Sequence, residues 1–203
     1  SSYLQLLDKR YKDKLDDDAN TFIEYAVDGA RRMQALISGL LEFSRIKTHG
    51  QEFAPVDVTT VLDGVCLNLQ SMIAETGAAV HYGKMPVIEG DEAQIARLFQ
   101  NLLQNALKFR KKDIPPVINI TAEEHDAGHI FAVHDNGIGI LEQYFAQIFT
   151  IFQRLHTREE YPGTGIGLSI CKRIVERHGG RIWLKSNPAT GTAFYFSIPG
   201  AKV

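Results

Sequence analysis

At 203 residues, 44% hydrophobic and 23% charged, the chain has ordinary globular composition, with length for one full domain and an appendage. A net charge of −2 gives no overall basic field and argues against a nucleic-acid partner; the short cluster Lys108, Arg110, Lys111, Lys112 reads first as a solvated helix end. Two cysteines, Cys66 and Cys171, are too few for a disulfide framework and point to a reducing, cytoplasmic setting. No apolar run approaches the length of a membrane span, so no membrane contact is expected of these residues. The opening SSYLQLLDKR lacks the apolar stretch of a signal peptide, there is no initiating Met, and residue 1 already lies in helical pattern. A piece of a longer protein is the expectation.

Leu4, Leu7 and Tyr11 give a short apolar stripe. Then Ile23, Ala26, Ala30, Met33, Ile37, Leu40 and Ser44 step by three and four without a break, a heptad seam on one long helix. Phe22, Leu36, Leu41 and Phe43 widen the apolar surface beyond what two helices can cover. Asp16, Asp17 and Asp18 place negative charge at the helix N-terminus, where the helix dipole favours it. Residues 1–49 therefore read as a helical hairpin that would bury its surface in a four-helix bundle with a second copy, or else as a helical extension packed on its own domain.

His49–Pro55 breaks the pattern, and a linker is expected over 50–56. Helices are predicted over Asp57–Glu75 and Asp91–Arg110, the second with Asp91 as its N-cap. Strands are predicted over Ala79–Tyr82, Pro86–Glu89, Val117–Glu123 and His129–His134, the last two joined by a turn at Asp126 and Gly128. A further helix follows Gly165 and stops at Gly179-Gly180, with His178 in its last turn, and Arg181–Ser186 and Thr192–Ile198 form a closing strand pair. Strands that come in pairs argue for an α+β chain whose domain, residues 57–203, is a two-layer α/β sandwich with a mixed sheet.

Three segments carry chemistry. Gly163-Thr164-Gly165-Ile166-Gly167-Leu168 opens a helix, where glycines and free N–H groups suit a phosphate. Its spacing matches neither the dinucleotide fingerprint nor the P-loop, and a flexible turn is the competing reading. Asp135-Asn136-Gly137-Ile138-Gly139 follows an apolar strand. A carboxylate at a strand end can accept a hydrogen bond from an exocyclic amine such as adenine's, although Asp-Asn-Gly is also a common turn. On the helix from Asp91, Asn101, Asn105 and Lys108 share one face; they could offer a neutral oxygen to Mg²⁺ and a charge to a phosphate, or be plain solvated surface.

Taken together, and in this order, the three segments resemble the N, G1 and G2 boxes of the histidine kinase ATPase domain. Ile148–Arg154 resembles the F box that begins the family's ATP lid, and Gly191-Thr192-Ala193-Phe194 the G3 box. The stretch from Gln153 to Trp183 is similar to phytochrome-type sensor kinases, and the resemblance runs over nearly the whole chain. It implies a Bergerat-type sandwich preceded by dimerisation helices. It implies ATP and Mg²⁺ as cofactors, a homodimer through residues 1–48, and a response-regulator receiver domain as partner. It also implies roles. Asp135 would bind the adenine amine, with Gly137, Gly139 and Thr192 about the base and Phe109 stacking on or flanking it. Asn105 would ligate Mg²⁺, with Asn101 and Lys108 at the phosphate end. Arg154 would approach the γ-phosphate, Gly163, Gly165 and Gly167 with Ile166 and Leu168 would close over the phosphates, and Arg158 could add charge.

Two departures stand out. Ala189 occupies the place where the G3 box usually begins with glycine. The family's acceptor, a His followed by Asp or Glu on the first dimerisation helix, has no counterpart in residues 1–48; the seven histidines begin at His49. The expectation is an acceptor just upstream of Ser1, so that residues 1–203 bind ATP without phosphorylating themselves. Two rivals are a chaperone- or mismatch-repair-type ATPase, which would lack the heptad hairpin, and a scaffold that binds ATP without catalysis.

Overall fold

A computed structural model describes residues 6–7, 10–11, 14, 16–48, 50–157, 160–161 and 163–200, the Lys47 side chain excepted. Residues 1–5 of the expected first helix, Leu4 among them, and His49 and Arg158 lie outside the described residues. Two compact units divide the chain, 1–42 and 43–203, and the boundary falls inside a long helix.

That helix, α1, spans Asp17–Thr48. Asp16 caps it, its Oδ1 accepting from Ala19 N at 2.8 Å, and Asp17 and Asp18 fill the first turn. The expected seam is apolar and open to solvent: Met33 is 61% exposed, Ile37 59% and Leu40 47%, with Phe22 and Leu41 exposed beside it.

The second unit is a two-layer α/β sandwich. Strands β1 (Ala54–Asp57) and β3 (Val87–Gly90) form an antiparallel ribbon of their own. The expected linker over 50–56 therefore ends in a strand, because Ala54, Pro55 and Val56 pair with Gly90, Glu89 and Ile88. The helix expected over Asp57–Glu75 is two, α2 (Val58–Asn68) and α3 (Gln70–Thr76), interrupted at the buried Leu69. Asp57 caps the first, and Gly77 at φ 63° ends the second.

The main sheet has the order β2-β4-β5-β7-β6, with β2 (Ala79–Tyr82) parallel to β4 (Val117–His125) and every other pairing antiparallel. The remaining strands are β5 (Gly128–Asp135), β6 (Ile182–Asn187) and β7 (Gly191–Pro199). The mixed sheet expected from paired strands is present. Its inner face carries Ile118, Ile120, Phe131, Val133, Phe194, Phe196 and Ile198, alternating along each strand as the pleat requires.

Helices α4 (Glu92–Lys108) and α5 (Gly167–Arg177) cover that face. Asp91 caps α4 as expected, its Oδ1 accepting from Gln94 N at 3.2 Å. Ile95, Leu98, Phe99, Leu102, Leu103, Ala106 and Leu107 form the buried stripe of α4; Ile170, Cys171, Ile174 and Val175 that of α5. Phe99, Phe131 and Phe196 meet at the centre, with centroids 5.0–6.0 Å apart. All three are fully buried, so truncating one to Ala would cost about 3–5 kcal/mol. This core fixes α4 and α5 side by side, with the polar stripe of α4 and the first residues of α5 at one cavity.

Candidate functional site

A cavity of 290 Å³ opens between the C-terminal half of α4, the end of β5, and the segment leading into α5. Asn101, Asn105 and Lys108 line it from α4, because the stripe that buries Leu98, Leu102 and Ala106 turns these three outward on the adjoining face. Asn101 is 7% exposed and its Nδ2 has no hydrogen-bond partner among the described residues. A buried donor of this kind costs free energy unless something accepts from it.

Asp135 ends β5 at the opposite side of the cavity. Its Oδ1 accepts from Gly137 N at 2.9 Å and Thr192 N at 3.1 Å, which leaves Oδ2 for a ligand. Burial pushes the Asp135 carboxyl above the ordinary Asp range, and the two backbone donors pull partly against that. Gly137 lies so close that a Cβ there would meet Phe109 O at 2.5 Å and Asp135 Oδ1 at 2.9 Å. Only glycine brings the chain in this tightly. Ile138 N also donates to Phe109 O at 3.0 Å, so the end of α4 and the turn after β5 are tied together.

The third wall comes from residues 148–168, whose described members contain no α-helix or strand before α5 begins at Gly167. Gly163 runs over the Lys108 ammonium, and a Cβ there would stand 2.8 Å from Nζ. Burial lowers the pKa of Lys108, and the neighbouring positive charge of Arg154 lowers it further. Two cations brought together in a half-buried place, with no carboxylate partner among the described residues, make an anion site. Gly165 and Gly167 line the same wall, and the start of α5 points its N–H groups there.

The structure thus gathers Asn101, Asn105, Lys108, Phe109, Asp135, Gly139, Arg154, Gly163, Gly165, Gly167, Leu168 and Thr192 around one cavity, although they are spread over 92 positions of sequence. Two expected residues do not line it. Gly137 stands behind Asp135 and orients it through its N–H. Ile166 is 1% exposed: its apolar side chain turns into the core as α5 starts, and its carbonyl accepts from Ser169 Oγ at 2.7 Å. Other lining residues were assigned no role in the sequence. Ile138, Ile140, Ile148 and Phe194 supply an apolar surface. Gln104, one turn before Lys108, was findable by helical spacing; His156 and Tyr161, on the loop, were not.

The class of protein defined here is an α/β sandwich with a cavity that is acidic at one end, cationic at the other and apolar between, as a purine nucleotide requires. The model of the family of histidine kinase-, DNA gyrase B- and HSP90-like ATPases matches residues 90–202, and the chain belongs to that family. It is 48% identical over 199 residues to the phytochrome-like protein Cph1 of Synechocystis sp., covering 98% of this chain and 26% of that protein. The chain thus spans about a quarter of the length of the curated relatives it matches. Among solved structures, the catalytic domain of the histidine kinase ThkA superposes with a TM-score of 0.63 at 29% identity, over 73% of this chain and 96% of that one. Full-length ShkA in complex with AMPPNP gives 0.72 at 24% identity, over 99% of this chain and 42% of that one. ThkA in complex with the response regulator protein TrrA gives 0.68 at 24%, over 98% of this chain and 57% of that one. These last two bear on the fold alone. A long helix followed by an α/β sandwich is thus a fold that this chain shares with both. Among the described residues no helix is long and apolar enough to cross a membrane.

Proposed function

We propose that this chain is the ATP-binding catalytic part of a sensor protein histidine kinase. The observation that carries the reading is the polarity of one cavity. Asp135 Oδ2 has no protein partner among the described residues at one end, while Arg154, the orphaned Asn101 Nδ2 and Lys108 under Gly163 stand at the other. A nucleoside triphosphate satisfies both ends. The adenine amine donates to Asp135 Oδ2, the base lies against Ile138, Ile148 and Phe194 near Thr192, and the phosphates meet the cations and the amide.

The residues also fit Mg²⁺. No group of three or more His, Cys, Asp or Glu that could hold a metal occurs among the described residues. The Asn105 side chain makes no hydrogen bond within them and presents a neutral oxygen to the cavity. A cation held by one amide oxygen completes its shell with phosphate oxygens and water, the habit of Mg²⁺. Bound there, it would neutralise charge on the phosphates. The protein's own part is to position the nucleotide and balance its charge, the larger share of phosphoryl-transfer catalysis.

The γ-phosphoryl goes to a histidine borne outside residues 1–203, and from there to an aspartate of a response-regulator receiver domain. ThkA's complex with TrrA supports that class of partner. The exposed seam of α1 is the surface for a homodimer. Calorimetric titration with Mg-ATP tests the reading: a single site is expected, lost in Asp135→Asn. A folded protein that binds neither ATP nor ADP would overturn it.

A further inference from the structure

Two side chains on the wall opposite α4 have no part in the reading so far, although both face the cavity. His156 and Tyr161 close a triangle of rings with Phe109. Centroids are 4.9 Å apart for Phe109–Tyr161, 5.9 Å for Phe109–His156 and 5.1 Å for His156–Tyr161. Phe109 is the fixed member: its N donates to Asn105 O at 2.9 Å and its O accepts from Ile138 N, so its backbone is held by both α4 and the turn after β5. Lys108 Nζ lies 4.4 Å from the same ring. The other two rings ride on a short turn closed by Tyr161 N to Thr157 O at 3.2 Å and by Thr157 N to Glu160 Oε2 at 3.3 Å.

A second tie joins this turn to the base of the loop. Arg154 Nη2 donates to Tyr161 O at 2.9 Å. Arg154 also lines the cationic end of the cavity. Its guanidinium therefore has two possible acceptors, a neutral carbonyl within the loop and whatever anion enters the cavity. A phosphate dianion makes the stronger, charge-assisted bond.

We infer that His156 and Tyr161, through their rings on Phe109, hold this loop over a nucleoside triphosphate in preference to a diphosphate. The inference rests on the nucleotide reading above. With a diphosphate, no terminal group reaches Arg154, so its bond to Tyr161 O persists and the loop keeps both ties. With a triphosphate, the guanidinium turns to the γ-phosphate and the carbonyl is released. Among the described residues, the ring triangle is then what still ties the turn bearing His156 and Tyr161 to the body of the domain. Removing the rings should therefore weaken triphosphate binding and leave diphosphate binding nearly as it was. His156 and Tyr161 are positioning residues: they act through Arg154 and the loop.

The experiment titrates the wild type, His156→Ala/Tyr161→Ala and His156→Phe/Tyr161→Phe with Mg-AMPPNP and Mg-ADP by calorimetry. Thermal melts verify that each variant is folded. In the double alanine variant, Kd for AMPPNP should rise about five- to tenfold and Kd for ADP less than twofold, in line with the loss of two aromatic contacts. The phenylalanine variant, which keeps the rings and loses the polar atoms, should restore the wild-type ratio of the two constants. Equal weakening of both nucleotides, or no change in either, would overturn the inference while leaving the nucleotide site in place. Absence of binding by the wild type would remove the reading on which it rests.

Discussion

Arg177 Nη1 lies 2.9 Å from Asp91 Oδ2, an ion pair that joins the last turn of α5 to the N-cap of α4. The Asp91 side chain is 2% exposed and that of Arg177 16%. Asp91 Oδ2 also accepts from Gln51 N at 2.8 Å, and Arg177 Nη2 donates to Gln51 O. The Phe53 ring stacks on His178 with centroids 4.5 Å apart and also has the Arg177 guanidinium 4.8 Å from its centroid. Residues 51–53 are thus strapped across the junction of the two helices that carry the cavity. Arg177→Ala leaves Asp91 with its two N–H donors but no counter-charge. Urea denaturation should show a loss of about 1.5–3 kcal/mol, and a change within the error of the wild-type value would speak against the strap.

His178 is the titrating member of that junction. Nε2 accepts from Asp91 N at 3.1 Å, so Nδ1 carries the proton and donates to Ile174 O at 2.8 Å. Burial lowers its pKa first of all; the Arg177 charge acts in the same sense, and the Ile174 carbonyl and Asp91 oppose it. The folded protein therefore favours the neutral ring more than the unfolded chain does. Its contribution to stability is complete above the unfolded pKa, about 6.5, and is lost as pH falls below that toward the folded value. Melting temperature should decline between pH 7 and 5 more steeply in the wild type than in His178→Gln. Parallel curves would show that the ring is not the group responsible.

Asp135→Asn should separate function from stability. The asparagine Oδ1 can still accept from Gly137 N and Thr192 N, so the local geometry survives. The ligand-facing Oδ2 becomes an amide that opposes the adenine amine, at a cost of about 1.5–3 kcal/mol or roughly ten- to a hundredfold in Kd. Because the folded pKa of Asp135 is raised, its ionised form at neutral pH works against folding. The variant should melt above the wild type without nucleotide, while losing nucleotide binding. A lower melting point together with wild-type affinity would contradict both halves.

Much of this architecture was legible in sequence because each signal had a local physical cause. The cap at Asp91, the polar stripe Asn101–Asn105–Lys108 and the helix stop at Gly179-Gly180, where Gly179 has φ 78°, depend on a few neighbouring residues. The order of glycine-bearing segments identified the cavity. What escaped depended on distant pairing. Nothing local in Ala54–Asp57 announces a strand, since its partner Val87–Gly90 lies some thirty residues on. The interruption at Leu69 carries no Gly or Pro and follows from burial. The direction of Ile166 was missed because a motif names positions and not the way each side chain turns. His156 and Tyr161 reach Phe109 only through the fold.

Ile37→Asp should weaken self-association. Met33, Ile37 and Leu40 recur at heptad spacing on α1 and stand open to solvent, and a stripe of this length draws a partner. A single buried carboxylate at its middle would be uncompensated in a dimer. Sedimentation of the wild type should show a concentration-dependent dimer that the variant loses, with melting of the 43–203 unit unchanged. Identical, strictly monomeric behaviour of both proteins would rule out the seam as an interface.

Residues 1–203 should bind Mg-ATP without acquiring phosphohistidine. Transfer needs an imidazole nitrogen in line with the γ-phosphorus, held in the correct tautomer. His178 has both nitrogens engaged. His134 alternates with the inward Val133 and so lies on the sheet face away from the helices, against Tyr195. His81 is on the same outer face, and His125 is on the exposed β4–β5 hairpin. His129 leans on Phe131 in the sheet. His156 is the serious candidate, because it lines the cavity and has Glu160 at 3.8 Å. Its ring, however, packs with Phe109 and Tyr161, and a phosphoryl group on it would have to break that packing. His49 lies outside the described residues. Incubation with γ-labelled ATP should give no acid-labile, base-stable label on the wild type, although the same preparation binds nucleotide. A protein extended upstream to include a His followed by an acid should be labelled, by itself or in trans. Label on residues 1–203 that disappears in His156→Ala would place the acceptor on the loop; label that persists there would place it among the remaining six histidines.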